Sequence, residues 1–253
     1  MRYLKRFGQH FLNNETIARD IVNSLEAKDD DIVIEIGPGD GVLTKYLYKK
    51  YPKLVLIEID DRLIEKLQEQ YTKATIVHDD VLNINFSEVF KGPCYLISNL
   101  PYNISSEILF KVHNSRDVVR QFICMLQYEV VERILAHPGS KQYGIPSVFL
   151  NIYYDIEFLM YVGSNNFYPK PKVNSAVIKM TRNNVNDLGC DEGLFDRVVH
   201  CGFKHRRKTL RNALHNILPR DFVNDILSLR AEQLSINDYV SLTKTISYNL
   251  KDI

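Results

Sequence analysis

Five short apolar runs recur along the first half of the chain, with amphipathic stretches between them: Ile32-Val33-Ile34-Glu35-Ile36, Leu54-Val55-Leu56-Ile57, Ala74-Thr75-Ile76-Val77, Cys94-Tyr95-Leu96-Ile97 and Phe122-Ile123-Cys124-Met125-Leu126. Runs apolar on both faces are strands buried on both sides, which requires helices above and below a mainly parallel sheet. The stretches between them supply those helices. Val42, Leu43, Tyr46 and Leu47 share one helical face, as do Leu63 with Leu67, and Ile108, Leu109 with Val112. Two more strand candidates, around 156–162 and 173–180, bring the expected α/β sheet to seven strands.

The flanks read differently. At the amino end, Phe7-Gly8-Gln9-His10-Phe11-Leu12 precedes a helix that Asn13 or Asn14 can cap, with Ile17, Ile21 and Leu25 at four-residue spacing. Glu129 to Ala136 continues as a helix, broken by Pro138-Gly139. After Met180 the polar stretch Arg182-Asn183-Asn184-Val185-Asn186-Asp187 reads as a linker. Beyond it the pattern is helical, over roughly 191–202, 205–217, 219–229 and 235–250. Ser235 and Asp238 form a capping-box-like start to the last of these. Two domains are expected, 1–181 and 182–253, the second small and all-helical.

No apolar run approaches the length of a membrane span, and no signal-peptide core follows Met1-Arg2-Tyr3-Leu4-Lys5-Arg6, so a cytoplasmic protein with no membrane role is expected. Cys94, Cys124, Cys190 and Cys201 are scattered and the seven histidines make no ligand spacing, so no metal site is expected. A net charge of +1 is too small for a uniformly basic nucleic-acid binder. The positive charge is instead concentrated. Residues 204–211 hold Lys204, Arg206, Arg207, Lys208 and Arg211 with no acid, and Arg2, Lys5 and Arg6 form a smaller cluster.

Four strand ends carry residues suited to chemistry. Gly37-Pro38-Gly39-Asp40-Gly41 joins the first strand to a helix, where backbone must pass close to a ligand. Glu58 ends the second strand, 21 residues after Gly37, where a carboxylate can accept from ribose hydroxyls. Asp80 ends the third and can accept from an adenine amine. The fourth strand runs into Asn99-Leu100-Pro101-Tyr102, which brings together an amide, two carbonyls beside a proline and an aromatic plane. Hydride-carrying dinucleotides compete for such a site, but the G-x-G-x-G spacing and the missing Pro38 amide disfavour them.

Glu35-Ile36-Gly37-Pro38-Gly39-Asp40-Gly41 resembles the first motif of S-adenosylmethionine-dependent methyltransferases. Asn99-Leu100-Pro101-Tyr102 resembles the amine-recognition motif of enzymes that methylate adenine on its exocyclic nitrogen. The stretches 7–12, Gln127 to Arg133, Pro138 to Gly144 and Phe167-Tyr168-Pro169-Lys170-Pro171-Lys172-Val173 resemble the ribosomal RNA adenine dimethyltransferases nearly end to end. Residues 203–212 are similar to the helical domain of the small-subunit branch of that family. The related branch that dimethylates large-subunit RNA competes, but Leu100 and the Arg206-Arg207-Lys208 segment favour the small-subunit branch. A non-catalytic assembly factor on the same fold would have lost the glycine loop or Asn99, and both are intact.

The resemblance implies a Rossmann-like methyltransferase domain, S-adenosyl-L-methionine as cofactor, and two adjacent adenosines of small-subunit ribosomal RNA as substrate. A monomer acting on a 30S precursor particle is the expected assembly. His10, Leu12, Gly37, Gly39, Glu58, Asp80 and Asn99 would form the cofactor site, although the family more often has Asn at position 10. Asn99 and the Leu100 or Pro101 carbonyl would accept the amine hydrogens, and Tyr102 and Phe167 would sandwich the target adenine. Arg206, Arg207, Lys208 and Arg211 would meet RNA phosphates.

Overall fold

In the computed structural model, the structure describes residues 10–90 and 92–251. The basic cluster at Arg2, Lys5 and Arg6 and the Phe7-Gly8-Gln9 part of the amino-terminal motif lie outside the described residues. Among the described residues no helix is long and apolar enough to cross a membrane. The chain divides into two compact units, one comprising residues up to Val131 together with Tyr154–Arg182, the other Glu132–Tyr153 together with the chain from Asn183 onward.

In the first unit, strand β1 (Phe11–Leu12) leads into helix α1 (Glu15–Asn23). Asn14 caps that helix, its side-chain oxygen accepting from the Thr16 and Ile17 amides. There follow β2 (Ile32–Ile36), α2 (Thr44–Lys50), β3 (Leu54–Glu58), α3 (Asp61–Gln70), β4 (Thr75–His78), α4 (Phe86–Val89), β5 (Cys94–Asn99), α5 (Ser105–Asn114), β6 (Val119–Gln127) and α6 (Tyr128–Ile134). After helix α7 (Ile145–Tyr153) come β7 (Tyr154–Val162), β8 (Phe167–Tyr168) and β9 (Ser175–Arg182).

Seven strands form one sheet in the order β4-β3-β2-β5-β6-β9-β7. The β4-to-β6 part is parallel, and β9 runs antiparallel to both β6 and β7. This is a Rossmann-like methyltransferase fold. The chain winds from β2 out to β4 and returns to β5 on the other side of β2, so the carboxyl ends of β2 and β5 diverge and open a crevice. A separate two-stranded ribbon pairs Phe11 with Tyr168 and Leu12 with Phe167.

The second unit holds the helical part of the chain. Helix α7 is absent from the sequence expectation because its run is short and mostly apolar, and its two polar residues, Ser147 and Asn151, turn inward to donate to the Arg133 and Ile134 carbonyls. Ser147, Val148, Phe149, Leu150, Ile152 and Tyr153 are all buried, and a segment buried all round gives no one-sided periodicity. Its Phe149 packs edge-on against Phe195 of α8 (Glu192–Lys204), with ring centroids 5.9 Å apart. The segment 132–153 therefore groups with the C-terminal helices, whereas a single boundary near 182 was expected.

The two middle helices expected at 205–217 and 219–229 are mostly irregular. Only α9 (Leu210–Ala213) is α-helical there, followed by 3-10 turns at Asp225–Ser228 and Ala231–Gln233. Backbone pairing replaces helix: the Leu210 amide donates to the Leu229 carbonyl at 2.7 Å, and Thr209 bridges Arg230. Pro219 and the positive φ of Asp221 break the rest. Helix α10 (Ile236–Lys251) begins as expected, with the Ser235 hydroxyl and amide donating to Asp238 and the Asp238 amide returning to the Ser235 hydroxyl.

Candidate active site

The glycine loop between β2 and α2 turns with Gly37, Gly39 and Gly41 at φ +65°, +56° and +85°, a region that side chains rarely enter. A Cβ on Gly39 would lie 2.7 Å from the Phe11 ring, whereas one on Gly37 would meet nothing within 4 Å. Gly37 therefore presents bare backbone to open space. The Glu58 carboxylate ties this loop to the end of β3. Its Oε2 accepts from the Gly39 amide at 3.1 Å, and its Oε1 accepts from the Ile59 and Asp60 amides, each at 3.0 Å. Burial pushes Glu58 above the usual carboxylate range, against the pull of those amides. Glu58 is thus partly occupied, with a second lone pair on Oε2 left for a ligand hydroxyl.

Glu35, which opens the glycine-loop motif, lies two residues before the loop. It is 2 % exposed, and the Thr44 hydroxyl donates to its Oε2 at 2.6 Å. Burial pushes it up to about 8, with Glu58 adding and Thr44 opposing. A lone carboxylate inside an apolar strand was the signal that could have found it. At the end of β4, Asp80 caps a 3-10 turn, its Oδ1 accepting from the Leu82 amide at 2.9 Å, and Asp79 Oδ1 accepts from the Asp80 amide at 2.7 Å.

At the end of β5, the Asn99 side chain lies with Nδ2 3.0 Å from the His10 carbonyl. A carbonyl only accepts, so the NH2 faces His10 and Oδ1 is the exposed acceptor. Of the two candidate carbonyls, that of Pro101 accepts from the Ile104 amide at 3.3 Å, while that of Leu100 takes no hydrogen bond among the described residues. Leu100 is the freer acceptor. The Tyr102 hydroxyl bonds the Ser175 hydroxyl at 2.7 Å, and its ring lies 5.3 Å from the His10 ring at 30°. Burial raises the Tyr102 hydroxyl pKa, with the Ser175 bond opposing. The His10 Nδ1 donates in turn to the Pro169 carbonyl at 2.7 Å. Ser175 carries no motif of its own, and Pro169 belongs to the 167–173 motif without any signal that its carbonyl meets His10; only the fold places them here.

These strand ends enclose one cavity of about 270 Å³. His10, Leu12, Gly37, Gly39, Glu58, Asp80, Asn99, Leu100 and Tyr102 all line it, together with Glu35, Phe11 and Asp79. Phe167 does not. Its side chain is 3 % exposed and packs in the core with Leu12, its neighbour across the β1–β8 ribbon. The alternation of that two-residue strand turns Phe167 inward and Tyr168 outward. Four acidic side chains around a bare glycine turn, Glu35 among them holding a proton that a cation can displace, suit a cationic ligand with a nucleoside hydroxyl pair, which is the chemistry of an adenosyl sulfonium.

The expected RNA-binding cations lie in the second unit. Arg207, Lys208 and Arg211 are exposed. Arg206 is half-buried, donating to the Ser140 carbonyl at 3.2 Å and lying 3.7 Å from Glu232. The absence of a nearby acid in sequence therefore does not carry over to the fold, which brings Glu232 to Arg206 from 26 residues on.

A family model described as ribosomal RNA adenine dimethylase matches residues 2–248. The chain is 44% identical over 98% of its length to the ribosomal RNA small subunit methyltransferase A of Bacteroides thetaiotaomicron, covering 95% of that protein. It is 45% identical to the Flavobacterium johnsoniae protein of the same name, covering 96% of this chain and 95% of the other. A crystal structure of a dimethyladenosine transferase from Plasmodium falciparum superposes with a TM-score of 0.82 at 26% identity, covering 96% and 99% of the two chains. The 23S rRNA methyltransferase ErmE shares the fold, with a TM-score of 0.68 at 23% identity over 92% and 99%. The family model and the relatives, each matching nearly the whole chain, show that the chain belongs to the ribosomal RNA adenine dimethylase family.

Proposed function

We propose that this protein transfers methyl groups from S-adenosylmethionine to the exocyclic amines of two adjacent adenosines near the 3′ end of small-subunit ribosomal RNA, giving N6,N6-dimethyladenosine. It acts as a cytoplasmic monomer on a 30S precursor particle. The small-subunit assignment rests on relatives named for that RNA at 44% and 45% identity over nearly the whole chain. The observation that carries the chemistry is the Asn99 amide, which the His10 carbonyl orients so that Oδ1 faces outward beside the Leu100 carbonyl and the Tyr102 ring.

Bound in the cavity, S-adenosylmethionine supplies a methyl group already activated on a sulfonium. His10 and Leu12 with the Gly37 backbone would take its methionine end, Glu58 Oε2 a ribose hydroxyl and Asp80 its adenine amine, while Asp79 adds negative charge against the cation and Glu35 does so only once it gives up the proton that burial holds on it. The protein's work falls on the acceptor. The lone pair of an adenine amine is delocalised into the ring, and hydrogen bonds from its hydrogens to Asn99 Oδ1 and the Leu100 carbonyl favour the pyramidal, developing-cation geometry. The Tyr102 ring, braced by Ser175 on its hydroxyl and His10 on its face, stacks on the base and fixes its approach. The proton released after transfer leaves to water, so no general base is required. A monomethylated amine keeps one hydrogen for these acceptors, which allows a second transfer.

The test is incubation of the purified protein with labelled cofactor and small subunits lacking dimethyladenosine, followed by mapping of the modified bases. Two adjacent dimethyladenosines in the small-subunit RNA are expected. Label found only in large-subunit RNA, or in neither, would overturn the assignment.

A further inference from the structure

We infer that Tyr128 and Tyr161 form a second stacking surface, for an unpaired RNA base flanking the methylated adenosine. This rests on the RNA adenine methyltransferase reading above. Tyr161 is 53 % exposed and Tyr128 37 %, and their rings meet edge to face with centroids 5.5 Å apart.

The pair is continuous with the catalytic strand end. Ser175, whose hydroxyl holds Tyr102, pairs with Gln127 on one side and Val162 on the other. Tyr128 follows Gln127 directly and Tyr161 precedes Val162 and pairs with Ala176, so both residues stand beside the start of β9, the Tyr161 ring on the sheet face opposite the Ser175 side chain. The Tyr128 amide donates to the Asn174 carbonyl at 2.9 Å, which fixes the turn into α6 beside that strand end. The connection between β8 and β9 adds the exposed cations Lys170 and Lys172.

The chemistry asks for such a surface. An adenosine drawn out of its stack leaves its neighbours without a stacking partner, and that loss opposes binding. Exposed aromatic rings offer a replacement face to any base, and nearby lysines neutralise the strand's phosphates. Two rigid rings held against each other present that face with little ordering cost. Nothing in the methyl-transfer chemistry itself uses Tyr128 or Tyr161, and neither lines the cofactor cavity.

The test compares Tyr161→Ala, Tyr128→Ala and Tyr161→Phe with the unmodified protein. Kinetics are measured on unmethylated small subunits, RNA binding by titration with an RNA hairpin carrying two adjacent loop adenosines, and cofactor binding by calorimetry. Each alanine variant is expected to raise the KM for subunits and weaken hairpin binding by roughly tenfold. In both, kcat and cofactor affinity stay unchanged, and Tyr161→Phe behaves as the unmodified protein. Unchanged hairpin affinity in both alanine variants overturns the inference while leaving methyl transfer standing. So does a loss seen on subunits alone, which would point to a ribosomal protein as the occupant, or an equal loss in Tyr161→Phe. An unmodified protein that methylates no RNA overturns the functional reading as well, so the two failures are distinguishable.

Discussion

The Asn99 amide lies 3.0 Å from the main-chain oxygen of His10, so a residue 89 positions earlier decides which end of that amide faces the substrate. The hydrogen bond turns an ambiguous side chain into a defined acceptor. Asn99→Ala removes that acceptor and is expected to lower kcat by roughly 10²–10³. Asn99→Asp keeps an acceptor but sets a carboxylate against the His10 carbonyl, and is expected to lower both kcat and thermal stability. Single-turnover methyl transfer together with melting curves separates the two effects. An Asn99→Ala enzyme with unchanged turnover would remove Asn99 from the mechanism.

Tyr102 has two separable parts. Tyr102→Phe loses the 2.7 Å bond to Ser175 while keeping the ring, and is expected to cost about 1 kcal/mol of stability with activity reduced only severalfold. Tyr102→Ala removes the stacking face and is expected to abolish measurable transfer while cofactor still binds. Calorimetric cofactor affinity measured beside turnover tests the separation. Equal losses in the two variants would assign the function to the hydroxyl instead of the ring.

The glycine loop yields a contrast between neighbouring positions. Both Gly37 and Gly39 have positive φ, so alanine at either costs about 1 kcal/mol in backbone strain. Gly39→Ala must also displace the Phe11 ring, only 2.7 Å from the new carbon, and is expected to lower both the melting temperature and cofactor affinity. Gly37→Ala projects into open space and is expected to weaken cofactor binding with a smaller change in melting temperature. Matched thermal and calorimetric measurements decide between them.

The parallel sheet and the gathering of strand ends at one cavity were legible because each strand announces itself by a short two-faced apolar run, and β-α-β winding brings the ends together. What was illegible depends on contacts distant in sequence. Phe167 carries a family-like motif, yet its pairing with Leu12 turns it into the core. Helix α7 is short and mostly apolar, and its polar Ser147 and Asn151 face inward, so no solvent face announces it. The stretch 205–229 has helix-forming residues, but the Leu210–Leu229 and Thr209–Arg230 pairings claim its backbone. The bonds from Ser175 to Tyr102 and from His10 to the Pro169 carbonyl are identified only by the folded chain.

The basic segment divides by partner. Arg206 is shared with Glu232 and Ser140, whereas Arg207 and Lys208 are exposed. Arg207→Ala with Lys208→Ala is therefore expected to weaken RNA binding and reduce the slope of log affinity against log salt by about one to two, with cofactor affinity unchanged. Arg206→Ala alone is expected to destabilise the helical unit as well, since Glu232 loses its partner. RNA titrations at several salt concentrations, paired with melting curves, test both, and an unchanged salt slope in the double variant would remove these cations from the RNA contact.

Glu35 makes the cavity sensitive to pH. Its carboxyl is held at about 8 against an ordinary 4.5, so the folded protein binds that proton more tightly than the unfolded chain. This contribution to stability is fully present below pH 4.5 and is lost as pH rises through 8, a fall on the order of a few kcal/mol. Glu35→Gln, which stays neutral, is expected to flatten the decline in melting temperature between pH 5 and 8. A cation entering the cavity favours the ionised carboxylate, so S-adenosylmethionine binding at pH 7 is expected to release up to about one proton. Calorimetry in buffers of different ionisation enthalpy reads that release directly, and Glu35→Gln should abolish it. Equal proton release in the variant would mean that another cavity carboxylate, Glu58 foremost, carries the linkage.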